Sequence, residues 1–317
     1  MSLFEKLQTV IMLGAIGLGL ALGQSSLISE YAVNFITPSL MCMLFGLFLG
    51  LPLTDLKKSF FDLKFTAASL SLNFIWIPIL GWGLGGIFLA ESPALRLGYL
   101  MLLVTPCTDW YLVFTGLARG NVPLSAAILP LNLILQVALL PVYLLLFAGL
   151  TGQVDLGLLG RGLLLALAAP FGAAQLVRLI FKSGSRPAGL ILSRIFAGGQ
   201  FVFLCLAIAA MFASQARHLS GHLEVFYRLL WPVTLFFVIN FLVGRVVARV
   251  MKFSFEDSVS LSLTTLARNS PISLAIAVTA FPKEPLIALA LVIGPLIELP
   301  FLGLISQALL WLRPRPD

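Results

Sequence analysis

Two short stretches gather most of the reactive chemistry of an otherwise apolar chain. The first is Thr105-Pro106-Cys107-Thr108-Asp109, a thiol, two hydroxyls and a carboxylate around a proline. It interrupts a segment, 94–118, that otherwise reads as one apolar span. Proline removes a helix hydrogen bond, and its ring clashes with the preceding turn. In hydrocarbon, freed backbone groups and a carboxylate are tolerated only where protein or a water-filled cavity satisfies them. The second stretch is Ala267-Arg268-Asn269-Ser270-Pro271, inside another apolar span. Three ionisable residues thus lie well within spans: Asp109, Arg268 and Glu298. A central Asp or Arg costs about 2.5–3.5 kcal/mol on an insertion scale. Such residues are paired or face a cavity. Asp109 lies three residues past the first proline and Arg268 three before the second. If the two broken helices cross, these charges can meet, either as an ion pair that locks the crossing or as part of a transport site.

The neighbouring polar residues exceed what a lock requires. They are Thr105, Thr108, Asn269, Ser270 and Ser273. Asn132 and Gln136, spaced i, i+4, share one helical face. Glu298 lies between Pro295 and Pro300. It is either a carboxylic acid kept neutral and hydrogen-bonded to a neighbouring helix or a carrier of protons. Cys107 stands among hydroxyls at a break, where its soft sulfur suits a thiophilic solute. A helix N-terminus following the break favours an anionic ligand. Cys42 and Cys205 lie in apolar runs and read as packing residues. The cysteines have no metal-ligand spacing. His218 and His222 read as a solvated loop pair.

The elements that must position these residues are membrane spans. Of 317 residues, 60% are hydrophobic and 10% charged, with a mean hydropathy of +1.05; soluble domains run near 25% charged. The apolar runs are long enough for helices, not for alternating strands of about ten residues. Ten spans are expected: 8–23, 32–52, 65–90, 94–118, 122–150, 157–181, 189–213, 225–250, 257–281 and 285–312. The first is read as a mature helix, not as a cleaved signal. The net charge of +7 resides in loops, which excludes nucleic acid as the expected partner. Taking the N-terminus as cytoplasmic puts fourteen Lys and Arg on that side and five opposite, with Arg268 inside the membrane. Both termini are therefore expected in the cytoplasm.

The halves repeat weakly. Pro106 and Pro271 are 165 residues apart, as are Pro130 and Pro295. Five spans per repeat, about 1–150 and about 157–312, invert the second repeat relative to the first. Inverted repeats with broken helices meeting at the midplane are a secondary-transporter design. Gly46-x-x-x-Gly50 and Gly81-x-Gly83-x-Gly85 read as helix-packing patterns. No nucleotide-binding motif is present, so no cofactor and no ATP hydrolysis by this chain is expected. No span contains a histidine for an intramembrane hydrolase, and polar residues cluster at one depth instead of forming a channel stripe.

Val104-Thr105-Pro106-Cys107-Thr108 resembles the fourth-helix motif of the arsenite-efflux permeases. Leu274-Ala275-Ile276-Ala277 and the stretch Val292-Ile293-Gly294-Pro295-Leu296-Ile297-Glu298-Leu299-Pro300 resemble their ninth and tenth helices. These permeases belong to the bile acid/arsenite/riboflavin transporter superfamily, and the ten-span plan extends the resemblance over the whole chain. The resemblance implies a panel domain and a core domain, with two broken helices crossing at the transport site. It implies arsenite recognition by Cys107 and a role for the acid at Glu298. Two departures stand out: Ser273 replaces the usual ninth-helix acid, and Asp109 adds one after the cysteine. Sodium-coupled relatives bind sodium at a glutamate-containing ninth-helix break, where this chain has Arg268-Asn269. A fixed guanidinium repels sodium and favours proton coupling or a plain voltage- or gradient-driven exit. The expectation is an all-α secondary transporter in the cell inner membrane. It exports arsenite or antimonite with the proton motive force, using Cys107, Thr105, Thr108, Asn269, Ser270, Ser273 and Asn132 for substrate. Asp109, Arg268 and Glu298 serve coupling. The rival is sodium-coupled uptake of a bile-acid-like or other organic anion, with Arg268 as the anion's partner.

Overall fold

The computed structural model describes residues 3–50, 62–107, 110–148, 168–182, 199, 202–214, 216, 223–282 and 284–312. Among them every regular element is helical, as a lipid solvent demands, because only a helix satisfies its backbone within one segment. The helices are α1 Leu3–Leu22, α2 Ser26–Gly50, α3 Leu63–Phe88, α4 Pro93–Leu103, α5 Trp110–Leu117, α6 Val122–Ala148, α7 Ala169–Lys182, α8 Val202–Ser214, α9 Leu223–Val250, α10 Phe255–Leu266, α11 Ser270–Ala280 and α12 Pro285–Trp311. Five are long and apolar enough to cross a membrane: α2, α3, α6, α9 and α12. α4, α7 and α8 are shorter apolar helices. Exposed apolar side chains such as Ile75, Ile79, Trp231, Val246 and Leu304 form a surface suited to lipid. The protein is an integral membrane protein.

α4 and α5 have 11 and 8 residues, α10 and α11 have 12 and 11. None reaches the ~20 residues a span needs, but each pair does. The two interruptions fall where the sequence puts them, beginning at Val104 and at Ala267. Local signals set the other ends. Asp62 caps α3 through the Phe65 N–H at 2.9 Å, and Ser254 caps α10 through the Asp257 N–H at 3.0 Å. Pro93 and Pro285 begin α4 and α12, where a missing N–H leaves nothing unpaired.

The chain forms two compact units interleaved in sequence. One comprises residues 1–51, 155–225 and 274–283 and contains α1, α2, α7 and α8. Within it, Gly19 and Gly23 of α1 lie against the backbone of Ala209 and Ala213 of α8, so close that no Cβ fits. Arg178 of α7 donates from Nη2 to the Leu49 carbonyl at 2.9 Å, and Phe171 meets Phe48 edge to face. Arg178 thus serves the last turn of α2.

The other unit, residues 52–154, 226–273 and 284–317, contains α3 to α6, α9, α10 and α12. Phe65, Ala68 and Leu72 of α3 pack with Ile128, Ala248 and Leu261 in one apolar cluster. α3 carries a π-helical turn, Leu72–Trp76, whose Phe74 carbonyl accepts from the Tyr143 hydroxyl at 2.6 Å. Gly81 and Gly85 admit Leu103 and Tyr99 of α4, whereas Gly83 meets nothing within 4 Å. The glycine pattern is therefore a two-residue packing stripe. A Cβ at Gly98 would lie 2.6 Å from the Ile287 carbonyl, which fixes α4 tightly on α12. Lys64 sits over Phe253, and Asn121 bonds to Glu256, at one end of the unit; Glu91 pairs with Arg228 at 3.7 Å near the opposite helix ends.

Candidate functional site

The two interrupted helices meet at their breaks. Proline at 106 prevents α4 from continuing, and Ala267 adopts an extended conformation after α10. The two extended pieces pair antiparallel at Pro106 and Arg268. The Cys107 N–H donates to the Ala267 carbonyl at 3.0 Å, and the Asn269 N–H donates to the Thr105 carbonyl at 2.7 Å. Backbone groups freed by the breaks thus satisfy each other, as burial requires.

Side chains reinforce the pairing. The Thr105 hydroxyl lies 3.1 Å from the Met101 carbonyl, 3.2 Å from that of Asn269 and 3.0 Å from the Ser273 hydroxyl. Ser273 in turn donates to the Met101 carbonyl at 2.8 Å. Asn269 lies at the start of α11, its Oδ1 3.4 Å from the Ile272 N–H. Thr105 and Ser273, expected as substrate contacts, therefore engage each other and the backbone across the crossing.

Arg268 is 2% exposed. Its Nε donates to the Leu266 carbonyl at 3.2 Å and its Nη1 to the Leu103 carbonyl at 2.9 Å. Its Nη2 donates to the Thr265 carbonyl at 2.6 Å and to Asn73 Oδ1 at 2.9 Å. Four of the five guanidinium donors are thereby used. The Phe236 ring lies 5.7 Å away, within cation–π range. The acceptors at 103, 265 and 266 are carbonyls at the ends of α4 and α10, where helices leave them unpaired and partly negative. The Arg268 N–H donates to Glu298 Oε1 at 2.8 Å, so α12 joins the crossing through its buried acid. Arg268 and Glu298, both expected to serve coupling, are thus neighbours, joined through backbone instead of the guanidinium.

Cys107 is buried directly beside this pairing. Ser270 is buried at the start of α11, and Asn132 and Gln136 are fully buried on α6. Thr108 and Asp109, and with them the expected Asp109–Arg268 contact, lie outside the described residues, as do His218 and His222. Sequence reasoning missed Asn73, whose signal was available: a lone amide inside an apolar span, in a π-helical turn of a kind frequent at functional sites. It also missed Asn240, whose Nδ2 donates to the Thr265 carbonyl at 2.6 Å. The carbonyl oxygens that accept from Arg268 had no signal in the side-chain pattern.

A model of the Sodium Bile acid symporter family matches residues 37–222, which includes the first break and Cys107 and ends before the second. The chain is 26% identical over 267 residues to the arsenical-resistance protein Acr3 of Corynebacterium glutamicum, covering 80% of this chain and 72% of that protein. It is 26% identical over 229 residues to YbaS of Bacillus subtilis, an uncharacterized protein, covering 71% and 72%. It is 24% identical over 249 residues to YocS of Bacillus subtilis, an uncharacterized sodium-dependent transporter, covering 78% and 75%.

Proposed function

The chain belongs to the Sodium Bile acid symporter family and is a membrane transporter of small molecules, and from that premise we propose that it exports arsenite or antimonite, driven by the proton motive force. The observation that carries this reading is the engagement of Arg268. A sodium site needs several oxygen ligands and no fixed cation nearby. Here the Leu103, Thr265 and Leu266 carbonyls and Asn73 Oδ1 already serve a guanidinium. Similarity to Acr3 over most of both chains supports the metalloid as solute.

In this reading Cys107 contacts the solute through its sulfur. Thr108, Asn269, Ser270 and Asn132 bind the hydroxyls of neutral arsenous acid. Thr105 and Ser273 are positioning residues that hold the breaks in register. A neutral solute leaves coupling to a proton exchanged at Asp109 or Glu298, with Arg268 as the permanent positive charge. The ten spans form two inverted repeats, about 1–150 and about 157–312. Each interleaved unit draws helices from both halves, which supports that plan. The protein lies in the cell inner membrane with both termini cytoplasmic.

Everted vesicles test the reading. Arsenite uptake should follow an imposed pH gradient and be indifferent to sodium. Cys107→Ser should abolish it, whereas Cys42→Ser and Cys205→Ser should not. The second reading, sodium-coupled uptake of an organic anion, is supported by the similarity to YocS. Sodium-stimulated anion uptake that survives Cys107→Ser would replace the first reading by the second.

A further inference from the structure

More than half of the buried polar atoms without a partner among the described residues lie on, or just past the end of, one seam. α10 packs against α6, and their first turns are tied together. The Asn121 N–H donates to the Glu256 carbonyl at 3.1 Å, and Asn121 Nδ2 donates to Asp257 Oδ1 at 2.8 Å. Ser260 Oγ donates to the Asn121 carbonyl at 3.0 Å. Both helices leave this knot in the same direction. On α6, Ser125, Asn132 and Gln136 are seven and four residues apart and share one face. On α10, Ser260 and Thr264 are one turn apart, and the bond to Asn121 turns their face towards α6. The end of α10 is the crossing itself.

Ser125, Asn132 and Gln136 are fully buried and Thr264 is 1% exposed. Their side chains carry Ser125 Oγ, both polar atoms of Asn132, both of Gln136, and Thr264 Oγ1. None of these six atoms has a hydrogen-bond partner among the described residues, and Ser270 Oγ, just past the crossing, is a seventh. Each buried polar atom left unpaired weakens a fold whose net stability is small. Six along one seam, with a seventh just past its end, are sustainable where small polar molecules bridge them, and water is the molecule with both donors and acceptors at that size.

We propose that the seam between α6 and α10 holds a file of water that conducts protons between the Asn121–Asp257 knot and the crossing. This rests on the proton-coupled reading above. Each water takes up a proton on one side and releases another on the opposite side, so no side chain of the seam is consumed. The hydroxyls and amides hold the file without exchanging protons, and two of the residues, Asn132 and Ser270, are also the solute contacts of that reading. The ionisable groups at its outer end are Glu256 and Asp257, with Arg245 bonded to Ser258 close by. At the inner end Arg268 opposes a free cation, so a proton is delivered only to a carboxylate that accepts it. Glu298, bonded to the Arg268 N–H, is the described carboxylate there.

Silver ion, which moves in water and binds thiols, is the probe. Full-length protein in membranes, with Cys42 and Cys205 changed to Ala and Cys107 kept, receives one further cysteine. Ser125→Cys, Asn132→Cys, Gln136→Cys and Thr264→Cys should be silvered about tenfold faster than Ile134→Cys, which is 39% exposed on the outer face of the same helix. Protection from alkylation after unfolding, mapped by mass spectrometry, gives the rates. Rates no faster than at Ile134→Cys mean a dry seam and overturn the proposal. This arm needs no substrate, so it stands apart from the identity of the solute. The second arm uses Gln136→Leu and Thr264→Val. Flux driven by a pH gradient should fall about tenfold more than equilibrium exchange of arsenite without a gradient. An equal loss of both, with silvering unchanged, assigns the seam to the solute and overturns the proton assignment.

Discussion

The crossing and the α6–α10 seam are equally buried and opposite in hydrogen bonding. At the crossing, Arg268 uses four donors, Thr105 and Ser273 bond each other, and the two broken backbones close on themselves. In the seam, Asn132 and Gln136 each present a whole amide with no partner among the described residues. Nearly identical residue types therefore do different work. Saturated groups fix a geometry, because leaving any of them unpaired is expensive. Unsaturated ones fix little and remain available to a visitor.

That contrast separates stability from transport. The largest effect should come from Arg268→Gln. It strips the donor from three helix-end carbonyls and from Asn73, beside the buried Glu298. A loss of about 3–5 kcal/mol is expected, the range for removing one partner of a buried charge. Thermal unfolding in detergent, followed on a sizing column, reads it. Unchanged stability would end the view of the crossing as a saturated lock. Thr105→Val and Ser273→Ala should each destabilise by about 1–2 kcal/mol. Because they share a bond, the double variant should lose less than the sum, and strict additivity would count against their contact. The smallest effect belongs to the seam. Asn132→Leu and Gln136→Leu remove no bond among the described residues, and each should shift stability by less than about 1 kcal/mol. A loss as large as that of Arg268→Gln would place these amides among the saturated groups and erase the distinction.

The sequence made the breaks legible because proline and a charge are loud in an apolar background. Pro106 and Pro271 were enough to predict two interrupted helices, and the extended pieces pair at Pro106 and Arg268, three residues before the second proline. What Arg268 bonds to was not legible. Its partners are mainly carbonyls at 103, 265 and 266, and carbonyls are the same in every residue. Thr105 and Ser273 were read as solute contacts because a hydroxyl near a break looks free until its neighbour across the crossing is known. Ser125 and Thr264 drew no notice at all, since a hydroxyl inside a helix ordinarily bonds back to its own backbone. Ser262 behaves in that ordinary way: its Oγ donates to the Ser258 carbonyl at 2.9 Å.

The pairing of the two breaks also sets an order of assembly. The Leu103 carbonyl and the Arg268 side chain that serves it are 165 residues apart in the chain. During synthesis α4 and α5 enter the bilayer long before α10 exists. Until then the carbonyls at 103 and 105 and the N–H at 107 have no crossing partner, and hydrocarbon offers none. The first half of the chain therefore waits in the membrane with those groups lacking their crossing partners. Arrival of residues 265–269 closes both breaks in a single late event. Chains that stop short of Arg268 lack those partners, and in a pulse-chase experiment they should be degraded faster than the full-length chain.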